Sequence, residues 1–223
     1  MIPEVLYEDN HIIVAVKPQN MPSQADASHD MDFLTLMKQY IKKKYDKPGA
    51  VYLGLVHRLD RPAGGVMVFA RTSKAAARLS AQIKDHSCAK RYYAITARKL
   101  PPEGAFSDAL LKDSRTNRTR VVPQGTPRAK QAELSYRTVQ EKDGYFLADI
   151  FLKTGRPHQI RVQFSHAGAP LVGDIKYGGV ENSKLCLWAY SLSFLHPTKK
   201  ERMAFTCPPP GYFPWNLFEI HIP

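Results

Sequence analysis

The sequence is poor in cysteine and has no long apolar run, which argues against several classes of protein. Its cysteines, Cys88, Cys186 and Cys207, are widely spaced and odd in number, so they indicate neither a disulfide framework nor a zinc site. The N-terminus lacks the basic start and apolar core of a signal peptide, and no apolar stretch nears the roughly 18 residues of a membrane-spanning helix. We therefore expect a cytoplasmic protein that needs neither a membrane nor a metal ion.

The sequence also has few acidic residues relative to its basic ones. The chain carries 20 Asp and Glu against 32 Lys and Arg, which gives a formal net charge of +12 at pH 7. Such an excess favours a polyanionic partner such as RNA or DNA, but many basic proteins bind no nucleic acid, so charge alone leaves both interpretations open. Hydrophobic residues form 43% of the 223 residues, enough for one core, and we expect a single domain over residues 1–223.

Apolar periodicity predicts an alternation of strands and helices in the N-terminal part and mostly strands afterwards. The predicted strands are 11–16, 66–70, 92–96, 132–139, 145–153, 185–194 and 202–206, the fourth and fifth forming a hairpin. One helix is predicted over 32–45 and a second after Thr72-Ser73, which can cap it. A third is predicted to begin around Pro157, because proline suits the first helical position, and to end by Gly168. The basic stretch 112–120 is expected to be a loop.

Two polar clusters could carry chemistry. The first, His57 to Arg61, follows an apolar stretch and precedes a glycine-containing loop, but an aspartate such as Asp60 can also simply cap a turn. The second, Thr154 to Arg161, sets Arg, His and Gln at a predicted helix start, where free backbone N–H groups attract anions. Its alternatives are a phosphate-binding surface without catalysis and an arginine paired in the core.

Taken together with their surroundings, the clusters resemble the RluA-type family of RNA pseudouridine synthases. His57-Arg58-Leu59-Asp60 with Gly65 and Ala70 resembles the family motif that contains a nucleophilic aspartate, and Lys90 to Ala94 resembles its K-x-Y-x-A strand. The third match runs from Thr154 to Arg161 and continues to Gly178. Its further residues are Gly168, Pro170, Leu171, Gly173, Asp174 and Tyr177. The likeness also includes 6–9, Lys17-Pro18, 192–194 and His196-Pro197, so it spans almost the whole chain.

The resemblance implies an α+β fold, a pseudouridine synthase catalytic domain with a mixed, mostly antiparallel central sheet flanked by helices and loops. Because it begins by residue 6, we expect no separate S4-type RNA-binding domain. It also implies an isomerase that uses no cofactor, since the reaction has no redox step. The substrate would be ribosomal RNA, transfer RNA or both, and the protein is expected to be a monomer.

The implied catalytic residues are Asp60, Tyr92 and Arg161. Asp60 would act as a nucleophile or as a base at the sugar, and the sequence leaves that choice open. Tyr92 would stack on the uracil or assist proton transfer, whereas strand alternation points Tyr93 to the opposite face. Arg161 is the candidate partner that would direct the Asp60 carboxylate by charge-assisted hydrogen bonds.

Arginine and histidine side chains are the expected RNA contacts. Arg58 would fill the space that the extracted base leaves, and the basic stretch 112–120 would meet phosphates. The residues expected to contact RNA are His57, Arg58, Arg61, Arg115, Arg118, Arg120, Arg156 and His158. Two other functions remain open: a non-catalytic RNA-binding protein of the same fold, and an enzyme that releases the free base.

Overall fold

The structure, a computed structural model, describes residues 2–182 and 184–222. Within them the helices are α1 (Phe33–Lys44), α2 (Ser73–Lys84) and α3 (Gln159–His166), and 3₁₀ helices span Ile175–Tyr177 and Trp215–Leu217. In chain order the strands are β1 (Glu4–Glu8), β2 (Ile12–Lys17), β3 (Gly54–Leu55), β4 (Gly64–Ala70), β5 (Ala89–Thr96), β6 (Glu103–Asp113), β7 (Arg118–Val122), β8 (Lys130–Lys142), β9 (Tyr145–Leu152), β10 (Leu187–Leu195) and β11 (Arg202–Thr206). The predicted α+β class is confirmed.

The chain forms two compact units, of which the first comprises Met1–Ala89 and Ala189–Cys207. Its strands pair antiparallel: β1 with β2, β2 with β4, β3 with β4, and β11 with residues 191–195 of β10. Every residue of β2 and β4 is buried, as expected for short β-branched runs. Each buried Ile or Phe of these strands contributes roughly 1.5–3 kcal/mol, so they form the core of this unit.

Both helices of the first unit begin where a side chain can cap them. Asp32 accepts a hydrogen bond from the Thr35 backbone N–H at 3.0 Å, and Thr72 accepts one from that of Ala75 at 3.1 Å. Each cap satisfies one backbone donor that a helix start leaves unpaired. The structure confirms the predicted helix α1, which is one residue shorter at each end than the predicted 32–45, and the predicted cap of α2.

The second unit comprises Lys90–Trp188 and Pro208–Pro223. Its strands lie in the order β5-β9-β8-β6-β7, and each neighbouring pair in this order is antiparallel. The predicted hairpin is confirmed as β8 and β9, joined by Asp143 and Gly144 at φ values of 52° and 77°. Two successive positive φ values give the turn whose twist suits a hairpin, so a glycine is favoured there.

Two local predictions in the second unit are wrong. Helix α3 starts at Gln159 rather than near Pro157, because His158 adopts a left-handed conformation with φ 53° that a helix cannot include. The basic stretch 112–120 is a hairpin rather than a loop. Its first residue, Lys112, belongs to β6 and pairs with Thr119 of β7. Its alternation was hidden because β7 is an edge strand with charged residues on the exposed side.

Candidate active site

The loop that carries Asp60 connects β3 to β4 in the first unit, and its backbone is held on both sides of this residue. The Ser23 hydroxyl donates to the Leu59 carbonyl at 2.7 Å and accepts from the Leu59 N–H at 3.1 Å. The Lys17 Nζ donates to the Arg61 carbonyl at 3.2 Å. Since both neighbours of Asp60 are anchored, the position of its Cα is fixed, which a preorganised reactive group requires.

Lys17 is fully buried, although it is charged in water. Its ammonium donates to the carbonyls of Pro18 at 3.0 Å, Met21 at 2.7 Å and Arg61 at 3.2 Å. Burial lowers the pKa of Lys17 from 10.5 to about 7, while the negative charge of Asp60 acts in the opposite direction. The first unit therefore supplies an amine that interacts with Asp60 when it is protonated, a role that the sequence analysis did not assign to Lys17.

The other polar residues of this loop differ in how far they are engaged. The His57 Nε2 accepts a hydrogen bond from the backbone N–H of Val68 at 3.0 Å, which ties its ring to β4. Arg61 forms an ion pair with Asp30, whereas Arg58 is exposed. His57 and Arg61 thus have structural partners, and RNA contact by all three stays a prediction.

Tyr92 lies on the side of the second unit's sheet that α3 covers. It pairs with Ile150 of β9, which pairs with Tyr136 of β8, so these three residues share one face. On that face the ring of Phe164 in α3 contacts the ring of Tyr136, with the centroids 5.4 Å apart. Tyr93 is directed to the opposite face, as strand alternation requires. Helix α3, which carries Arg161, therefore lies on the same side of this sheet as Tyr92.

Arg161 of α3 forms a buried, two-pronged ion pair with Asp174. Its Nε donates to Asp174 Oδ2 and its Nη2 to Oδ1, both at 2.7 Å. The guanidinium also lies over the ring of Tyr177, 5.1 Å from the centroid. Such a geometry holds the cation in one orientation. We expected Asp60 as the carboxylate partner of Arg161. Within the second unit Arg161 has Asp174 as a carboxylate partner, and an additional pairing with Asp60 stays a prediction.

Tyr177 also joins two segments that the sequence analysis assigned to RNA binding. Its hydroxyl accepts a hydrogen bond from the backbone N–H of Thr119 at 2.9 Å and lies 2.7 Å from His158 Nδ1. Arg156 is tied down nearby in the chain, since its Nε donates to the Gln131 carbonyl at 2.9 Å. His158 and Arg156 are therefore parts of the local structure, and a contact of either with RNA stays a prediction.

The remaining predicted RNA contacts lie on the β6–β7 hairpin. Arg115 is in its turn, and Arg118 and Arg120 are on β7. All three side chains are exposed, in keeping with a surface that meets a charged partner.

Comparison with known proteins decides the family. The profile described as RNA pseudouridylate synthase matches residues 11–166. The chain belongs to the RNA pseudouridylate synthase family. It is 32% identical over 215 residues to ribosomal large subunit pseudouridine synthase D of Zymomonas mobilis, covering 91% of this chain and 68% of that protein. The protein of the same name from Pseudomonas aeruginosa is 32% identical over 232 residues, with 96% of this chain and 70% of that one covered.

A solved structure shows the same fold. The human protein RNA Pseudouridylate Synthase Domain Containing 4 superimposes with a TM-score of 0.80 at 22% identity, covering 96% of this chain and 91% of that one. This superposition confirms the expected pseudouridine synthase fold, and the family match with the two relatives confirms the expected enzyme class. The family segment includes Asp60, Tyr92 and Arg161. None of the helices in residues 2–182 and 184–222 is both long and apolar enough to span a membrane.

Three residues belong to the matching motifs, but the sequence assigned them no function: Lys17, Asp174 and Tyr177. Asp174 and Tyr177 stand in the stretch that resembles GDxxYG, and both contact Arg161. In the sequence Lys17 directly follows an apolar run, and a charged residue at such a place ordinarily marks the point where the chain returns to solvent. A buried lysine at this position could not be recognised before its carbonyl partners were known.

Proposed function

We propose that the protein isomerises uridines of structured RNA to pseudouridine and that Asp60 is its catalytic carboxylate. Asp60 lies in the family segment 11–166 and in the motif His57 to Asp60. The observation that carries the proposal is the anchored loop, in which Ser23 and Lys17 hold the residues on either side of Asp60. A reactive group held in one geometry has already lost the conformational freedom that the reaction would otherwise cost.

The reaction exchanges one bond of the ribose for another. The bond between C1′ and N1 of uracil breaks, the base turns, and a bond forms between C1′ and C5. C5 then loses a proton and N1 gains one, so no electron acceptor and no cofactor are required. Asp60 would attack C1′ or remove a proton from the sugar, and in either role it acts as the ionised carboxylate.

The other residues of the proposed site have distinct tasks. Tyr92 would stack on the uracil and its hydroxyl would assist proton transfer. Arg161, oriented by Asp174, would direct the Asp60 carboxylate. Arg58, exposed in the same loop as Asp60, would take the place of the extracted base in the RNA. The further proposed RNA contacts are His57, Arg61, Arg115, Arg118, Arg120, Arg156 and His158.

We propose large-subunit ribosomal RNA as the substrate, with transfer RNA as the second candidate. The names of the Zymomonas and Pseudomonas relatives support ribosomal RNA, and the net charge of +12 suits either RNA. The proposal further takes residues 1–223 as one catalytic domain that works as a cytoplasmic monomer. Sedimentation of the purified protein at micromolar concentration tests the monomer, and a dimer would contradict it.

Asp60→Asn tests the catalytic assignment. The variant keeps the shape of the side chain but removes its charge, so we expect unchanged folding and RNA affinity together with loss of turnover. Turnover is measured as tritium released from RNA labelled at C5 of uridine, using RNA from cells that lack the gene. The matched control is Asp143→Asn, an exposed turn position with φ 52° that asparagine tolerates, and it should retain full activity. Appreciable tritium release by Asp60→Asn would contradict the assignment.

The same reaction mixture separates the two alternative functions. Pseudouridine in the digested RNA supports the proposal, whereas free uracil would show a base-releasing enzyme. Tight RNA binding by the wild type without any product would show a non-catalytic RNA-binding protein of the same fold.

A further inference from the structure

A cleft of about 470 Å³ lies within the second unit beside the β6–β7 hairpin. Strand β7 stands at the end of the strand order of this unit, so among the described residues one of its edges pairs with no strand. The cleft is bordered by this strand and by Val162, Ser165 and His166 of α3, together with Tyr177. Volumes of roughly 300–1,000 Å³ are typical of sites for small organic ligands. The cleft is therefore large enough for one nucleotide.

The charge of the cleft suits a phosphate. Arg118 and Arg120 both line it and are exposed, and alternation along β7 places their side chains on one face, about 7 Å apart along the strand. In the part of the chain that the structure describes, no ion pair or hydrogen bond is recorded for either guanidinium. The carboxylate of Asp113 also lines the cleft, but it accepts hydrogen bonds from Arg115 N at 2.9 Å and from the Thr116 hydroxyl at 3.0 Å. These hydrogen bonds, and to a smaller extent the charge of Arg120, lower the pKa of Asp113, so the cleft holds two cations and one ionised carboxylate.

The edge of β7 adds polar groups that lie beside an apolar wall. The Thr119 N–H is directed outward, because it donates to the Tyr177 hydroxyl, and alternation directs the N–H of Val121 to the same side. The Thr119 Oγ1 is buried without a hydrogen-bond partner in residues 2–182 and 184–222. Val121 and Val162 line the apolar side of the cleft, where Val121 packs against the buried Val162 on the face of β7 opposite to Arg118 and Arg120. This mixture matches a nucleotide, which has an anionic phosphate and an apolar base face.

We propose that this cleft binds one nucleotide of the substrate RNA across the open edge of β7, with its phosphate at Arg118 and Arg120 on one side and its base on the side of Val121. The inference rests on the proposed function in so far as the ligand is RNA. It adds a subsite with defined walls to what would otherwise be a diffuse basic surface. The Tyr177 hydroxyl, by holding Thr119, keeps β7 in place beside α3.

The test is a titration of the ¹⁵N-labelled full chain with a uridine trinucleotide, with uridine monophosphate and with inorganic phosphate. The trinucleotide should shift the amide resonances of Thr119 and Val121. Its affinity should fall roughly tenfold in the double variant Arg118→Gln/Arg120→Gln, since two phosphate contacts are lost. The matched control Arg98→Gln/Arg202→Gln removes the same charge from two other exposed positions and should change the affinity less than about twofold.

Three results would overturn the proposal. They are the absence of shifts at Thr119 and Val121, an equal loss of affinity in the control variant, and binding of inorganic phosphate as tight as that of uridine monophosphate. The titration measures binding without turnover, so it remains decisive if Asp60 proves not to be catalytic. Conversely, tritium release that depends on Asp60 would stand even if the cleft binds no nucleotide.

Discussion

Replacing Lys17 by methionine removes an ammonium that ties β2 to the Asp60 loop. Methionine has a similar length and no charge, so it can occupy the buried space. The substitution leaves the carbonyls of Pro18, Met21 and Arg61 without this donor. Each such loss costs about 1–3 kcal/mol, so we expect Lys17→Met to be less stable than the wild type at alkaline pH.

The pH dependence of this difference follows from the pKa of Lys17. Because burial lowers that pKa from 10.5 to about 7, the folded state binds the proton more weakly than the unfolded state does. The wild type therefore bears the full penalty below pH 7, where both states are protonated, and loses it as the pH rises toward 10.5. At about 1.4 kcal/mol per pH unit, the stability of the wild type relative to Lys17→Met should rise by about 2 kcal/mol between pH 7 and pH 9.

Urea unfolding followed by tryptophan fluorescence at pH 6, 7, 8 and 9 measures this difference directly. The matched control is Lys74→Met in α2, where the lysine is exposed, and its stability difference from the wild type should not change with pH. A difference between wild type and Lys17→Met that stays constant over this range would refute the account of Lys17.

The remaining predictions concern unit two and RNA affinity. Removing either member of the buried Arg161–Asp174 pair should lower the free energy of unfolding by about 3–5 kcal/mol. In a double-mutant cycle with Arg161→Ala and Asp174→Ala, measured by urea unfolding, the two losses should be strongly non-additive. Additive losses would contradict the pair. Tyr177→Phe keeps the ring against Arg161 but removes the hydroxyl, so unfolding should become easier by about 1–3 kcal/mol, and an unchanged midpoint would oppose this. The slope of log affinity against log salt should be about −0.7 per contacted phosphate and become shallower in Arg118→Gln but not in Arg202→Gln, while a salt-independent wild type would contradict a basic footprint.

Elements with strong local signals could be predicted from the sequence. The apolar runs of β2 and β4 indicate buried strands by themselves, and α1 combines an apolar stripe with Asp32 as its cap. The Asp143-Gly144 turn likewise encodes the β8–β9 hairpin, because its backbone requires positive φ values. In each case the residues that determine the element are neighbours in the chain.

The features that could not be predicted depend on distant residues. His158, whose left-handed conformation moves the start of α3 to Gln159, contacts Tyr177, which is 19 positions away in the chain. The Asp174 partner of Arg161 becomes evident only when the 3₁₀ segment folds back on α3, and the burial of Lys17 depends on carbonyls as far away as that of Arg61. The need for glycine at position 65 also depends on a distant residue. A Cβ atom there would lie 2.2 Å from the carbonyl oxygen of Ala189, a contact that the sequence alone does not reveal.

The most direct measurement maps pseudouridine in ribosomal and transfer RNA from cells with the gene, without it, and complemented with wild type or Asp60→Asn. The account predicts that particular uridines lose the modification when the gene is absent, regain it with the wild-type gene and remain unmodified with Asp60→Asn. Identical maps with and without the gene, or full restoration by Asp60→Asn, would contradict the claim that this chain modifies RNA through Asp60.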